Sequence, residues 1–211
     1  MDNSTNEKYI YLIRHGETEY NKKGYLQGSS INSSLNESGK NQAELFYQSF
    51  KHIPFDKIYT SVLIRSIESV EKFINSGILH ESYTELNEIN WGSMEGKLLT
   101  PFSWIKLKRL ASRWSKGETH LKIAGGESPE DVMNRQIPVA EIILSRNEEK
   151  NILICMHGRA LRIFLCILTQ TPLKNMDTFH HSNLGLYVLK YNNLTKDCIV
   201  EINNSRNHLI T

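Results

Sequence analysis

Cysteine is scarce in this chain and shows no pairing pattern. Of 211 residues only Cys155, Cys166 and Cys198 carry thiols. They are odd in number, far apart and free of any CxxC spacing, which argues against a disulfide-stapled secreted scaffold and for a reducing compartment. An excess of basic charge is also missing. Lys and Arg total 25 against 23 Asp and Glu, a formal net charge of +2, so the basic footprint of a dedicated nucleic-acid binder is absent. No apolar run approaches the ~18 residues that a membrane span needs; the best candidate, 160–168, is interrupted by Arg162. The polar opening MDNSTNE predicts neither a signal peptide nor an anchor. Repeats, linkers and low-complexity tracts are lacking too. The expectation is a cytoplasmic globular protein of one domain, 1–211, long enough to bury a core without disulfide or metal.

What is present alternates between two patterns. Residues 8–13 (KYIYLI) form a β-branched and aromatic run that stops abruptly at RHG, as a buried strand would. Residues 55–61 and 151–156 repeat that pattern, and 184–191 with 197–202 predict a terminal strand pair across Asn192 and Asn193. Between them, Asn36 caps an amphipathic helix, 63–74 has helical spacing, and Ser128 with Pro129 opens a helix to about Ser145 that Pro138 is expected to kink. Another helix is expected over 160–168. Strands alternating with helices predict an α/β domain with a mostly parallel sheet flanked by helices. The segment 97–126 stands apart as an inserted helical lid. Its first 26 residues carry seven Lys/Arg and a single carboxylate, Glu118, with Phe102, Trp104 and Trp114 expected as packing anchors.

In an open α/β sheet, ligands bind beyond the carboxyl ends of the strands. Two strands here end alike, in Arg14-His15-Gly16 and in His157-Gly158, and Arg65 follows a third strand by one turn. If the four side chains converge, two guanidiniums present forked donors matched to a phosphate dianion, and two imidazoles present a nucleophile and a further donor. Competing chemistries lack their patterns. Cys155 is preceded by Ile154, and Arg162 falls one residue late for a His-Cys-x5-Arg phosphatase loop. His15, His157, His180 and His181 show no HExxH spacing, and the chain has neither a GxxxxGK[ST] nor a GxSxG segment. His180 and His181 are expected in a solvated loop, Ser61 with a local backbone partner, and Glu17 at the turn or helix start.

The segment LIRHGET at 12–18 resembles the signature of the histidine phosphatase superfamily, the phosphoglycerate-mutase-like proteins. The likeness continues in order through Asn21, Gln27-Gly28, LNESG at 35–39 with Gln42-Ala43, YTSVLIR at 59–65, LNEINWGSMEG at 86–96, GES at 126–128 and MHG at 156–158. It implies His15 as nucleophile forming a phosphohistidine, with its other ring nitrogen donating to a fixed acceptor. Arg14, Arg65, His157 and Asn21 would bind the phosphoryl oxygens, with Gln27 and Gly28 in the substrate-binding loop. Glu88, at the family's L-x-E position, would be the acid and base. Glu85 and Glu95 crowd the same segment; Glu95 sits at the structural E-G position. No metal or cofactor is implied.

Three functions remain open. The first is a metal-independent phosphomonoester hydrolase acting on a small phosphorylated metabolite. The second is a cofactor-dependent phosphoglycerate mutase, and the third a catalytically inactive interaction module. WGSMEGK at 91–97 is closer to the phosphatases' GxWEGK, although Met94 replaces the usual Trp. The inactive module predicts loss of a core residue, and none is lost. Neither the identity of the substrate nor the oligomeric state is legible. The basic lid is either a solvated helix face or an attractor for anionic substrates.

Overall fold

The computed structural model describes residues 6–210; the expectation for the polar opening therefore lies outside the described residues at 1–5. Six strands form one sheet: β1 (Glu7–Arg14), β2 (Lys57–Ser61), β3 (His80–Tyr83), β4 (Asn151–Met156), β5 (Leu186–Asn192) and β6 (Cys198–Ser205), in the order β3-β2-β4-β1-β5-β6. The first four lie parallel, while β5 is antiparallel to both β1 and β6. The sheet is mixed and mostly parallel, as expected. Central β4 is buried on both faces, which is why its sequence is a continuous apolar run rather than an alternation. Its Ile152, Ile154 and Met156 pack against Val139, Ile143, Leu161 and Phe164, whereas Leu153 and Cys155 face Phe46, Val70 and Phe73. The core thus has two layers, one on each side of the sheet.

The helices are α1 (Glu19–Lys23), α2 (Glu37–Phe50), α3 (Ile64–Glu68), α4 (Glu71–Asn75), α5 (Pro101–Ser115), α6 (Pro129–Ser145) and α7 (Gly158–Leu168). Local chemistry sets their starts. The Asn36 side chain accepts from Gly39 N, and Ser128 forms a reciprocal capping box with Asp131 ahead of Pro129. Helix α6 continues through Pro138 as one element. The segment 63–74 departs from expectation, because it breaks at Ser69 into two short helices. Ser69 Oγ donates back to Arg65 O and accepts from Gly16 N across the sheet edge, and Val70 turns into the core. Strand β3 was not legible. It is a four-residue edge strand (HESY) with no apolar alternation.

Helix α5 lies over a third apolar cluster of Ile89, Trp91, Met94, Trp114, Ile163 and Met176, against α7 rather than the sheet. Trp114 is the packing anchor expected there. Phe102 and Trp104 are not: they are 80% and 49% exposed, Phe102 because it falls off the buried face that Leu107, Leu110, Ala111 and Trp114 define along the helix, and Trp104 because it lies at the rim of the cleft it lines with Leu107, Ala111 and Trp114. Among the described residues no helix is long and apolar enough to cross a membrane.

Candidate active site

Topology brings the two histidines together. β1 and β4 are parallel neighbours with Arg14 opposite Met156, and His15 N donates to Met156 O at 2.9 Å. The next residue of each strand is a histidine, and the two rings sit with centroids 5.1 Å apart. β2 adds Ser61 at the same edge, and α3 sends Arg65 back over it. His15, Arg65 and His157 are all buried.

Each ring is fixed in a different way. His15 Nδ1 lies 2.7 Å from Gly16 O. A carbonyl only accepts, so Nδ1 carries the proton and Nε2 keeps its lone pair. Burial, reinforced by the charges of Arg14 and Arg65, holds His15 well below the ordinary value of 6.5. The ring is therefore neutral at pH 7. His157 has Arg65 Nε 3.2 Å from its Nδ1 and Ser61 Oγ 2.7 Å from its Nε2. Arg65 can only donate, which makes His157 the Nε2–H tautomer, donating to Ser61. Ser61 has the local backbone partner expected of it, accepting from Leu63 N at 3.1 Å, and is also the brace of the second histidine.

The arginines differ in what they still have to give. Arg65 donates to Gly28 O and Ile31 O as well as to His157, and burial pushes it down to about 10, still charged at neutral pH. Arg14 donates from its guanidinium to His181 Nδ1 at 3.3 Å, and its Nε is buried without a partner. A buried guanidinium N–H without an acceptor is costly, and an anion in the crevice supplies one. His181 is thus not the solvated loop residue expected; it borders the crevice, and burial with the Arg14 charge pushes it down to about 2. A Cβ on Gly158 would come within 2.9 Å of that ring, so any larger residue there would have to push His181 aside. His180 is exposed as expected. The position of His181 was derivable. β5 runs antiparallel to β1, so the segment entering β5 must cross the carboxyl edge where His15 sits. Asn183 in that segment donates to His15 O and to Asn21 Oδ1.

Asn21 is the N3 residue of a capping box with Thr18, which ties its Oδ1 and leaves its amide –NH2 for a ligand. Gln27 is committed at both ends, accepting from Thr18 Oγ1 and donating to Ser33 Oγ. Gly28 lends its carbonyl to Arg65, and a Cβ there would collide with the Glu95 carboxylate. Glu95 accepts from Trp91 N and Ser30 N and holds the loop, as its E-G position implied. Glu17 accepts from Asn36 Nδ2 at the start of α2.

Glu88 caps α7. Its Oε1 accepts from Ile89 N and Ala160 N at 2.9 Å and its Oε2 from Arg159 N at 3.1 Å. His157, the N-cap residue, turns its ring to Ser61 and Arg65 and cannot do this itself. The cap places a carboxyl beside the second histidine and close enough to Arg14 to offset part of the burial effect there. Arg135, invisible to the sequence reading, holds this segment from behind. It donates to the carbonyls of Glu85, Asn87 and Glu88 while paired with Glu127, which accepts from Asn90 N. Glu85 presents its backbone to that clamp, and its side chain accepts from Thr84. Cys155 is buried and its thiol pushed far up by that burial, so it is no thiolate nucleophile.

The fold and these groups define a protein with two histidines and two arginines converging on an anion-binding crevice at a sheet edge. The chain belongs to the histidine phosphatase superfamily (branch 1), whose family model matches residues 10–204, and it is a histidine-type phosphatase. It is 29% identical over 185 residues to a putative phosphoserine phosphatase 2 of Hydrogenobacter thermophilus, covering 85% of this chain and 87% of that one. It is 31% identical over 196 residues to human 6-phosphofructo-2-kinase/fructose-2,6-bisphosphatase 1, covering 91% of this chain and 39% of that longer protein. Among solved structures, Bacillus stearothermophilus YhfR superposes with a TM-score of 0.81 at 24% identity, covering 96% of this chain and 99% of that one. A mycobacterial glucosyl-3-phosphoglycerate phosphatase gives 0.79 at 23%, covering 94% and 99%. Both share the fold.

Proposed function

We propose that the protein hydrolyses phosphomonoesters of small metabolites through a phosphohistidine on His15, without a metal. The observation that carries this reading is the His15 ring itself: neutral, its Nδ1–H held by Gly16 O, its Nε2 lone pair free, beside a guanidinium with an unpartnered N–H. Nε2 attacks phosphorus in line as the ester P–O bond breaks, and Glu88 gives a proton to the leaving oxygen. Water then attacks the phosphohistidine while Glu88 takes its proton, the N–P bond breaks, and phosphate leaves with His15 neutral again. Arg14, Arg65 and the Asn21 amide hold the equatorial oxygens, and His157 joins them by turning its Nε2–H from Ser61 to the phosphoryl group, where a divalent ion would otherwise supply the charge. Gln27 and Gly28 shape the loop that receives the substrate. Three unpaired thiols fit a cytoplasmic setting. The basic helix α5 serves as the lid.

The test is phosphate release from a panel of phosphomonoesters in EDTA, with His15→Ala as control, and 3-phosphoglycerate plus 2,3-bisphosphoglycerate assayed for isomerisation. Release that survives EDTA and vanishes in His15→Ala supports the proposal. Isomerisation without release makes the protein a mutase. Silence from a folded wild type makes it an inactive module.

A further inference from the structure

Helix α5 carries apolar residues on two faces. Leu107, Leu110, Ala111 and Trp114 pack inward on the cluster that includes Ile163 and Met176. Phe102 and Ile105 point the other way, 80% and 49% exposed, and Leu98, just before the helix, is 51% exposed. The outward positions continue at helical spacing through Lys106, Arg109, Arg113 and Lys116, all exposed. One end of this face is apolar and the rest is basic. Leu98 and Phe102 meet Lys97 and Lys106 around a single surface hollow, so the apolar tip and the cations form one continuous patch.

The charge on it is unbalanced. Of the seven Lys/Arg in 97–122, Arg113 pairs with Glu118 and Lys122 with Asp131. Among the described residues the other five, Lys97, Lys106, Lys108, Arg109 and Lys116, have no ion pair of their own, and none hydrogen-bonds through its side chain to a residue of the crevice. These cations are not committed to the phosphoryl group.

The partner that fits has to be anionic outside and apolar within. A basic amphipathic helix lies in the plane of a bilayer, its apolar side chains among the acyl chains and its Lys and Arg at the lipid phosphates. A polynucleotide would meet the charge but leave the aliphatic Leu98 and Ile105 in water. A protein partner needs a matched surface of roughly 800 Å² a side. One face of this 15-residue helix, about 22 Å long and about 10 Å wide, falls well short of that. A fluid bilayer needs no shape match. We propose that α5 is a peripheral membrane-binding helix, which docks the protein on bilayers rich in anionic phospholipid with Leu98, Phe102 and Ile105 inserted. The proposal does not depend on the phosphohistidine mechanism.

The experiment is co-sedimentation of the full chain with vesicles of phosphatidylcholine containing about 30% phosphatidylserine. Binding is expected in about 0.1 M salt, and at least tenfold weaker binding in about 0.5 M salt or to pure phosphatidylcholine. Lys106→Gln with Arg109→Gln should weaken it about 25-fold, and Phe102→Ser about tenfold. Lys51→Gln, an exposed cation just past α2, should keep wild-type binding. Urea midpoints matching wild type show that the variants are folded. No wild-type binding, or equal binding to neutral vesicles, overturns the proposal, as does wild-type binding by both α5 variants. Single-stranded RNA or polyglutamate that binds more tightly than the vesicles, indifferent to Phe102→Ser, overturns it too and makes this face a polyanion site.

Discussion

In the proposed mechanism His15 and Glu88 carry the chemistry, and each is prepared by a neighbour that the sequence does not mark. The Gly16 carbonyl sets the tautomer of His15, and burial keeps its proton off in acid. An ordinary histidine would lose its nucleophilic lone pair as pH falls through about 6.5. Here the folded value lies well below that, so no loss of kcat/KM from His15 protonation should appear between pH 7 and 6. A pH–rate profile checks this; an acidic downturn centred near 6.5 that disappears with a low-pKa leaving group would not be His15. Glu88→Gln should slow benzyl and other alkyl phosphates about 100-fold or more, and aryl phosphates with good leaving groups far less, as general-acid loss requires. Equal slowing of both would remove Glu88 from the acid role. The histidines and Arg65 were legible because strand ends are legible. Glu88 needed the family motif, since Glu85 and Glu95 share its segment. Ser61, His181 and Asn183 were missed because their partners lie far off in sequence, 96 residues away for Ser61 and 167 for His181.

At the scale of elements, the site is a junction of helix starts and strand ends. The α7 N-terminus lacks a cap of its own and takes one from Glu88, so the same two backbone bonds, from Arg159 N and Ala160 N, that complete the helix also orient the proposed acid. Arg135 on α6 fixes the segment from the other side. Arg135→Met should lower kcat by about 10- to 100-fold through misplacement of the carboxyl, with KM for a small ester little changed. Arg135→Lys should recover only part of this, because one ammonium cannot reach three carbonyls and a carboxylate in the guanidinium's geometry. A KM rise with unchanged kcat would assign Arg135 to substrate binding instead. Of the helices with strong caps, α6 was legible to within a residue at both ends and α2 at its start. The split at Ser69 and the edge strand β3 were not: both are set by contacts across the sheet, Ser69 with Gly16 and β3 with β2. Helix α5 was legible as a helix, but its rotation was not: Phe102 faces outward and Trp104 sits only at the rim of the cleft that Leu107, Ala111 and Trp114 line.

Across the whole molecule, the parallel sheet gathers reactive groups at one edge and structural ones at the other. At the far edge Lys8 is fully buried, and its ammonium caps the C-terminal end of α6 through Ile143 O at 2.6 Å and Arg146 O at 3.0 Å. Lys8→Met should destabilise the fold by about 2 kcal/mol by leaving two carbonyls unpaired, measurable in urea. The buried histidines make a second global prediction. His15, His157 and His181 have folded values depressed far below 6.5. Below pH 6.5 the unfolded chain therefore binds more protons than the folded one, and stability falls with pH from there downward. Urea midpoints measured from pH 7.5 to 5 should decline, and His181→Asn should flatten the decline.

The most direct test of a phosphohistidine at His15 is to trap it. Enzyme mixed with a ³²P-labelled phosphomonoester and quenched within milliseconds in alkali should carry alkali-stable, acid-labile label on the peptide containing His15. The label should decay at the rate of phosphate release, and Glu88→Gln should accumulate more of it with an activated ester. Turnover with no protein-bound label under any quench, or label retained by His15→Ala, would contradict the account.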